Sequence, residues 1–124
     1  MAYAKELVGC GMSPGEASGI GGQYNAVTAL GSAQASAAPL TASMSVVAGA
    51  DGTKGVILQG QVGDEVWVFN NSASTLKVYP PTGAAIAVAG TGLGTGNAAF
   101  SQLTYKTTIY KCLTSTQWLA NTSA

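Results

Sequence analysis

Glu65-Val-Trp-Val-Phe-Asn70, then Asn71-Ser-Ala-Ser74, then Thr75-Leu-Lys-Val-Tyr79 and Pro80-Pro-Thr-Gly83, is the stretch whose reading decides the fold. β-Branched and aromatic residues crowd 65–70, and such side chains suit a pleated surface better than a helix. The Asn/Ser connection reads as hairpin-like, with 75–79 as the return strand. Neither proline can donate to a sheet ladder, so the chain must turn at 80–83. Along 65–70 the side chains alternate, Val66 and Val68 to one side, Trp67 and Phe69 to the other. Both sides are apolar. A strand with one wet face should alternate apolar with polar, so Trp67 and Phe69 are expected to be covered. The cover is the edge of another sheet, the N-terminal segment or a neighbouring subunit.

Working outward, strands are expected at 24–30, 40–48, 54–58, 84–89, 98–103, 105–113 and 117–120. Residues 40–48 show the period of two that marks a strand, with Leu40, Ala42, Met44 and Val46 against Thr41, Ser43, Ser45 and Val47. Asp51-Gly52 and Val62-Gly63-Asp64 read as turns. About eight strands at regular spacing predict an all-β chain, a single jelly-roll-like β-sandwich over 24–121 followed by a tail at 122–124. Residues 1–23 differ and read as an N-terminal arm. Residues 3–10 can form one or two helical turns, stopped by Gly9 and Gly11. Ser13-Pro-Gly-Glu16 has the spacing of a capping box, with proline at the first helical position. A helix this short does not persist alone.

The chain has 124 residues, of which 47% are hydrophobic, enough for one core. Only 8% are charged, about a third of the usual share. Five Lys balance five acids, Arg is absent, and the formal net charge is zero. Lys5, Lys54, Lys77, Lys106 and Lys111 are scattered singly, which offers no phosphate-neutralising cluster for nucleic acid and no basic patch for an anionic membrane. A charge-poor surface is a solubility burden for a free monomer and less so for a packed assembly. Two cysteines, Cys10 and Cys112, lie far apart, and no oxidising compartment is indicated, so no disulfide is expected. Cys112 reads as a small core hydrophobe. No segment reaches the roughly 18 apolar residues of a spanning helix. The first ten residues lack the regions of a secretory signal, so the protein is expected to be made and kept in the cytoplasm until assembly.

Catalytic motifs are missing. With no histidine, the usual general base, metal ligand and Ser-His or Cys-His dyads are gone. Asp64 and Glu65 are adjacent and should point to opposite sides of a strand end, unlike the facing carboxyls of a glycosidase. They read as a charged turn. Gly90-Thr-Gly-Leu-Gly-Thr-Gly96 lacks the Lys-Ser/Thr ending of a phosphate loop and any βαβ context. It reads as a loop whose exposed tip can make contacts. Tyr79, Tyr105, Tyr110, Trp67 and Trp118 read first as core or interface, and second as a sugar platform. No enzyme activity, cofactor or metal is expected.

Gly55-Val-Ile-Leu58, Gly63-Asp-Glu-Val-Trp-Val-Phe-Asn-Asn-Ser72, Leu76-Lys-Val-Tyr-Pro-Pro-Thr-Gly-Ala-Ala-Ile86, Tyr110-Lys-Cys112 and Gln117-Trp118 resemble pieces of small tailed-phage virion proteins of the capsid decoration (cement) or fibre-tip type. The match runs over 54–119, about half the chain. Glu6-Leu-Val-Gly-Cys-Gly-Met-Ser-Pro14 is similar to the N-terminal segments of such proteins, which often carry a hydrophobic residue where Cys10 stands. The resemblance implies a virion role on the capsid surface without chemistry: late binding to the major capsid protein, often as a homotrimer. The chain shows no heptads or repeats of a fibre shaft. The expected contacts are Tyr3, Leu7, Val8, Met12 and Ile20 of the arm, with Trp67 and Phe69 of the β domain. The alternative is a receptor- or glycan-binding tip built from the 90–97 loop and the tyrosines.

Overall fold

The computed structural model describes residues 24–88 and 93–123. Ten strands run through them: β1 (Tyr24–Thr28), β2 (Ala38–Pro39), β3 (Met44–Ala48), β4 (Gly55–Ile57), β5 (Glu65–Asn70), β6 (Leu76–Tyr79), β7 (Ala85–Val88), β8 (Phe100–Gln102), β9 (Thr107–Thr114) and β10 (Gln117–Thr122). One turn of 3-10 helix stands at Gln34–Ser36. The described chain is mostly β, arranged as a six-stranded sheet in the order β1-β3-β5-β9-β10-β7 and a four-stranded sheet in the order β2-β4-β6-β8. The helical turns expected at 3–10 and 14–20 lie outside the described residues.

The hairpin expected at 71–74 does not form. β5 belongs to the larger sheet and β6 to the smaller, so residues 71–74 cross from one to the other. The same crossing recurs throughout the first half. β1, β3 and β5 lie in one sheet, β2, β4 and β6 in the other, and each strand pairs in parallel with the strand two places on. Tyr24 aligns with Met44 and Met44 with Trp67, steps of 20 and 23 residues. Ala38 aligns with Val56 and Val56 with Val78. The chain therefore winds through three coils. Parallel neighbours need a long crossover, commonly a helix; here a short strand of the facing sheet serves.

Five of the eight strand pairings are parallel, whereas a jelly roll is antiparallel. The antiparallel pairs come later: β8 against β6, β9 against β5, and β10 against β9. The true hairpin is β9–β10, turned at residues 115–116 with a register shift at Gln117/Trp118. β10 runs to Thr122, past the expected end at Ala120, and the Ser123 N–H donates to the Thr107 carbonyl at 2.8 Å.

One buried cluster joins the sheets. Val47, Val66, Val68, Tyr110, Cys112 and Trp118 of the larger sheet pack with Val56, Leu76 and Val78 of the smaller. In β3 the buried positions are Ser45 and Val47, so Met44 and Val46 point outward. Cys112 is buried and not in a disulfide; desolvation, then the nearby Asp64 charge, pushes its thiol up. Two close approaches require glycine. A Cβ on Gly55 would run into the Lys77 carbonyl, and one on Gly94 would run into the Ile86 carbonyl. Gly94, in the glycine-rich loop, thus lies against the backbone of edge strand β7.

A polar knot sits inside this core. Gln102 of β8 is fully buried, and its Nε2 donates to the carbonyls of Val68 and Lys106, each at 2.8 Å. Its Oε1 accepts from the Tyr110 hydroxyl at 2.8 Å. Asn70, also fully buried, shares the hydrogens of Nδ2 among the carbonyls of Ser74, Gln102 and Leu103. Burial pushes the Tyr110 phenol well up, so it stays a donor. Tyr110→Phe leaves the buried Gln102 Oε1 without that donor and should cost about 1–3 kcal/mol, read as a lower urea midpoint with unchanged slope.

The Asp51 turn predicts an acid dependence. Asp51 Oδ1 accepts from the Thr53 hydroxyl at 2.7 Å and from the Thr53 and Lys54 N–H groups at 3.0 Å. These bonds, the Thr53 hydroxyl first, lower its pKa from 3.8 to about 2. A lowered folded value means the stabilisation is present above 3.8 and lost as pH falls through about 2. The melting-temperature gap between wild type and Asp51→Ala should be open at neutral pH and close near that lower value.

Candidate functional site

Strand alternation fixes which residues the larger sheet presents outward. On β5, Val66, Val68 and Asn70 are buried while Glu65 and Trp67 are exposed and Phe69 is half-buried. On β9, Thr108, Tyr110 and Cys112 turn inward, leaving Thr107, Ile109, Lys111 and Leu113 outside. Register then brings these residues into rows across the sheet. Met44, Trp67, Ile109 and Asn121 form one row. Val46, Phe69 and Thr107 form the next. On the other side of the Trp67 row lie Glu65, Lys111 and Leu119.

The result is a broad apolar face on the outside of the six-stranded sheet. Trp67 is 37% exposed, and Met44, Val46, Phe69, Ile109 and Leu119 are half-buried. Within the described residues no second layer lies over them. Between β5, β9 and β10 the face dips into a shallow depression of about 380 Å³ lined by Trp67, Thr107, Ile109, Asn121, Thr122 and Ser123. Among the described strand residues of this face the charges are Glu65 and Lys111, direct cross-strand neighbours of opposite sign.

Of the contact residues expected from the sequence, Trp67 and Phe69 sit together on this face. Tyr3, Leu7, Val8, Met12 and Ile20 lie outside the described residues. Met44, Val46, Ile109 and Leu119 are additions. Their alternation was visible in the sequence, but which strands stand beside β5 was not. The aromatic residues do not form one platform: Tyr110 and Trp118 are in the core, and Tyr79 is half-buried in the smaller sheet. Tyr105 is 59% exposed, in a loop where it takes a positive φ of 56°.

The other candidates have structural roles. The Asp64 carboxylate accepts from the Gln61 N–H at 2.7 Å and closes a turn, and the Asp64 and Cys112 backbones pair. Glu65 stands exposed at the strand start. Among the described residues no group of three His, Cys, Asp or Glu is placed to hold a metal. Leu93, in the glycine-rich loop, is 79% exposed.

No protein-family model matches this chain, and neither a curated protein nor a solved structure does.

The two tryptophans should respond differently to truncation. Trp118 is 1% exposed, so Trp118→Ala should cost about 3–5 kcal/mol. Trp67 gives up cross-strand contacts with Met44 and Ile109, so Trp67→Ala should cost about 1–2 kcal/mol. Equilibrium urea unfolding measures both.

Proposed function

We propose that this chain is a non-enzymatic structural protein of a tailed-phage virion, a decoration (cement) protein on the outer surface of the capsid. The observation that carries the reading is the apolar face around Trp67, left uncovered among the described residues, on a chain with almost no charge. Such a surface belongs against protein rather than water. The two sheets are read as the layers of one β-sandwich. The resemblance over 54–119 supplies the setting, assembly in the host cytoplasm onto a finished head.

In this reading Trp67 and Phe69 meet a neighbouring copy, and the protein works as a closed oligomer, a homotrimer in the phage proteins it resembles. Tyr3, Leu7, Val8, Met12 and Ile20 of residues 1–23 meet the major capsid protein. The mechanism is linkage. A protein that binds the assembled shell and not its separated subunits shifts the equilibrium toward the shell, by about 2.7 kcal/mol per site at a hundred times the dissociation constant. No cofactor, metal, nucleic acid or membrane takes part.

A second reading draws on the depression beside Trp67. An indole face next to Asn121, Thr122 and Ser123 has the makings of a sugar-stacking site, as a glycan-binding fibre or spike tip would need. Location separates the two. Antibody labelling of purified particles should show many copies over the head, and a few copies at the tail would favour the tip. Heads stripped of the protein should release DNA at a lower temperature, with re-addition restoring the original value. Equal robustness with and without it would overturn the decoration role.

A further inference from the structure

We infer that the outer face of the six-stranded sheet packs against the same face of a second copy of this chain, about a rotation axis parallel to β5 and β9. The inference rests on the assembly role above and makes its symmetry twofold, because a face that packs on itself closes with two copies, where a trimer would need two different faces.

Two observations carry it. The first is composition. Trp67, Phe69, Met44, Val46, Ile109 and Leu119 are aromatic, Met and aliphatic residues, the kinds that fill interface centres, while charge is depleted there.

The second observation is the placement of the charges. β5 and β9 are the central pair of the sheet, with three strands on the β5 side and three on the β9 side. Glu65 on β5 and Lys111 on β9 are in register. A rotation about an axis parallel to the strands, above the seam between them, keeps height along the strand and exchanges the two sides. Lys111 then faces the partner's Glu65, and the apolar rows face apolar rows. Rotation about an axis across the strands, level with the Trp67 row, would bring both charges to the opposite, uncharged end of the partner's face. The face is thus complementary to itself in one orientation. Closed cyclic assemblies use surfaces of this kind.

The test uses the full chain and reads its mass by sedimentation up to about 100 µM. Wild type should form a discrete dimer, any larger closed ring counting against the inference, and Trp67→Lys should weaken it at least tenfold with its circular dichroism spectrum unchanged. Glu65→Lys and Lys111→Glu should each weaken association, because each face then carries two like charges. Mixing these two variants in equal amounts should restore association, since one face is then positive and the other negative. That rescue cannot arise from contacts within one chain. Indifference of the oligomer to all three substitutions would overturn the inference. So would a full chain that stays monomeric, whether its face is covered by its own residues 1–23 or by a shell protein. A monomer that still binds and stabilises heads would remove the interface and leave the decoration role standing. An oligomer that responds as described but never joins a particle would do the reverse.

Discussion

The carboxamide of Gln102 ties the smaller sheet to the larger by buried hydrogen bonds. It lies in the smaller sheet, yet its hydrogen bonds reach the Val68 carbonyl on β5, the Tyr110 hydroxyl on β9 and the Lys106 carbonyl in the loop before β9. Asn70 extends the knot by holding the Gln102 and Leu103 carbonyls, and its own backbone pairs with Tyr105 and Lys106. Buried polar groups are expensive unless paired, so such a cluster accepts few alternative geometries. It fixes the height at which β8 meets β5 and β9. The outward rows follow from that, because a slip of one residue on β9 would turn Ile109 inward and Tyr110 into solvent.

The larger sheet then has two unlike faces. The inner one is closed by the smaller sheet. The outer one carries Trp67 with Met44, Val46, Phe69, Ile109 and Leu119, on β3, β5, β9 and β10. A soluble sheet exposed to water commonly separates its faces by composition. Here both sides of β5 are apolar and a core lies on one of them.

Much of this was legible in the residues. Glu65–Asn70 was readable as a strand with two apolar sides because β-branched and aromatic residues alternate there without a break. Cys112 was readable as core, Trp118 only as core or interface together with Trp67 and the tyrosines, and the turns at Asp51 and Asp64 from their short polar side chains. The pairing was not legible. Asn71-Ser-Ala-Ser74 has the look of a hairpin, yet it crosses between sheets, because local turn chemistry does not record which strand waits opposite. The coil repeat stayed hidden for a related reason: its steps of 20 and 23 residues differ, and the turns between strands carry different residues. Asn70 and Gln102 gave no signal as core residues, since polar amides are ordinarily at the surface. The neighbours of Trp67 became visible only once β3, β9 and β10 had been placed.

The order of strands has a consequence for how the protein is made. The two positions between β5 and β7 in the larger sheet are filled by β9 and β10, which are synthesised after both. A growing chain that has passed residue 102 has β5 and β7 both lacking the strands that will pair between them. Contacts between residues as distant as Glu65 and Lys111 close late, which slows folding. The ribosome must therefore release the last hairpin before the sheet can knit, and until then the nascent polypeptide offers sticky strands to whatever chaperone or sister chain is nearby.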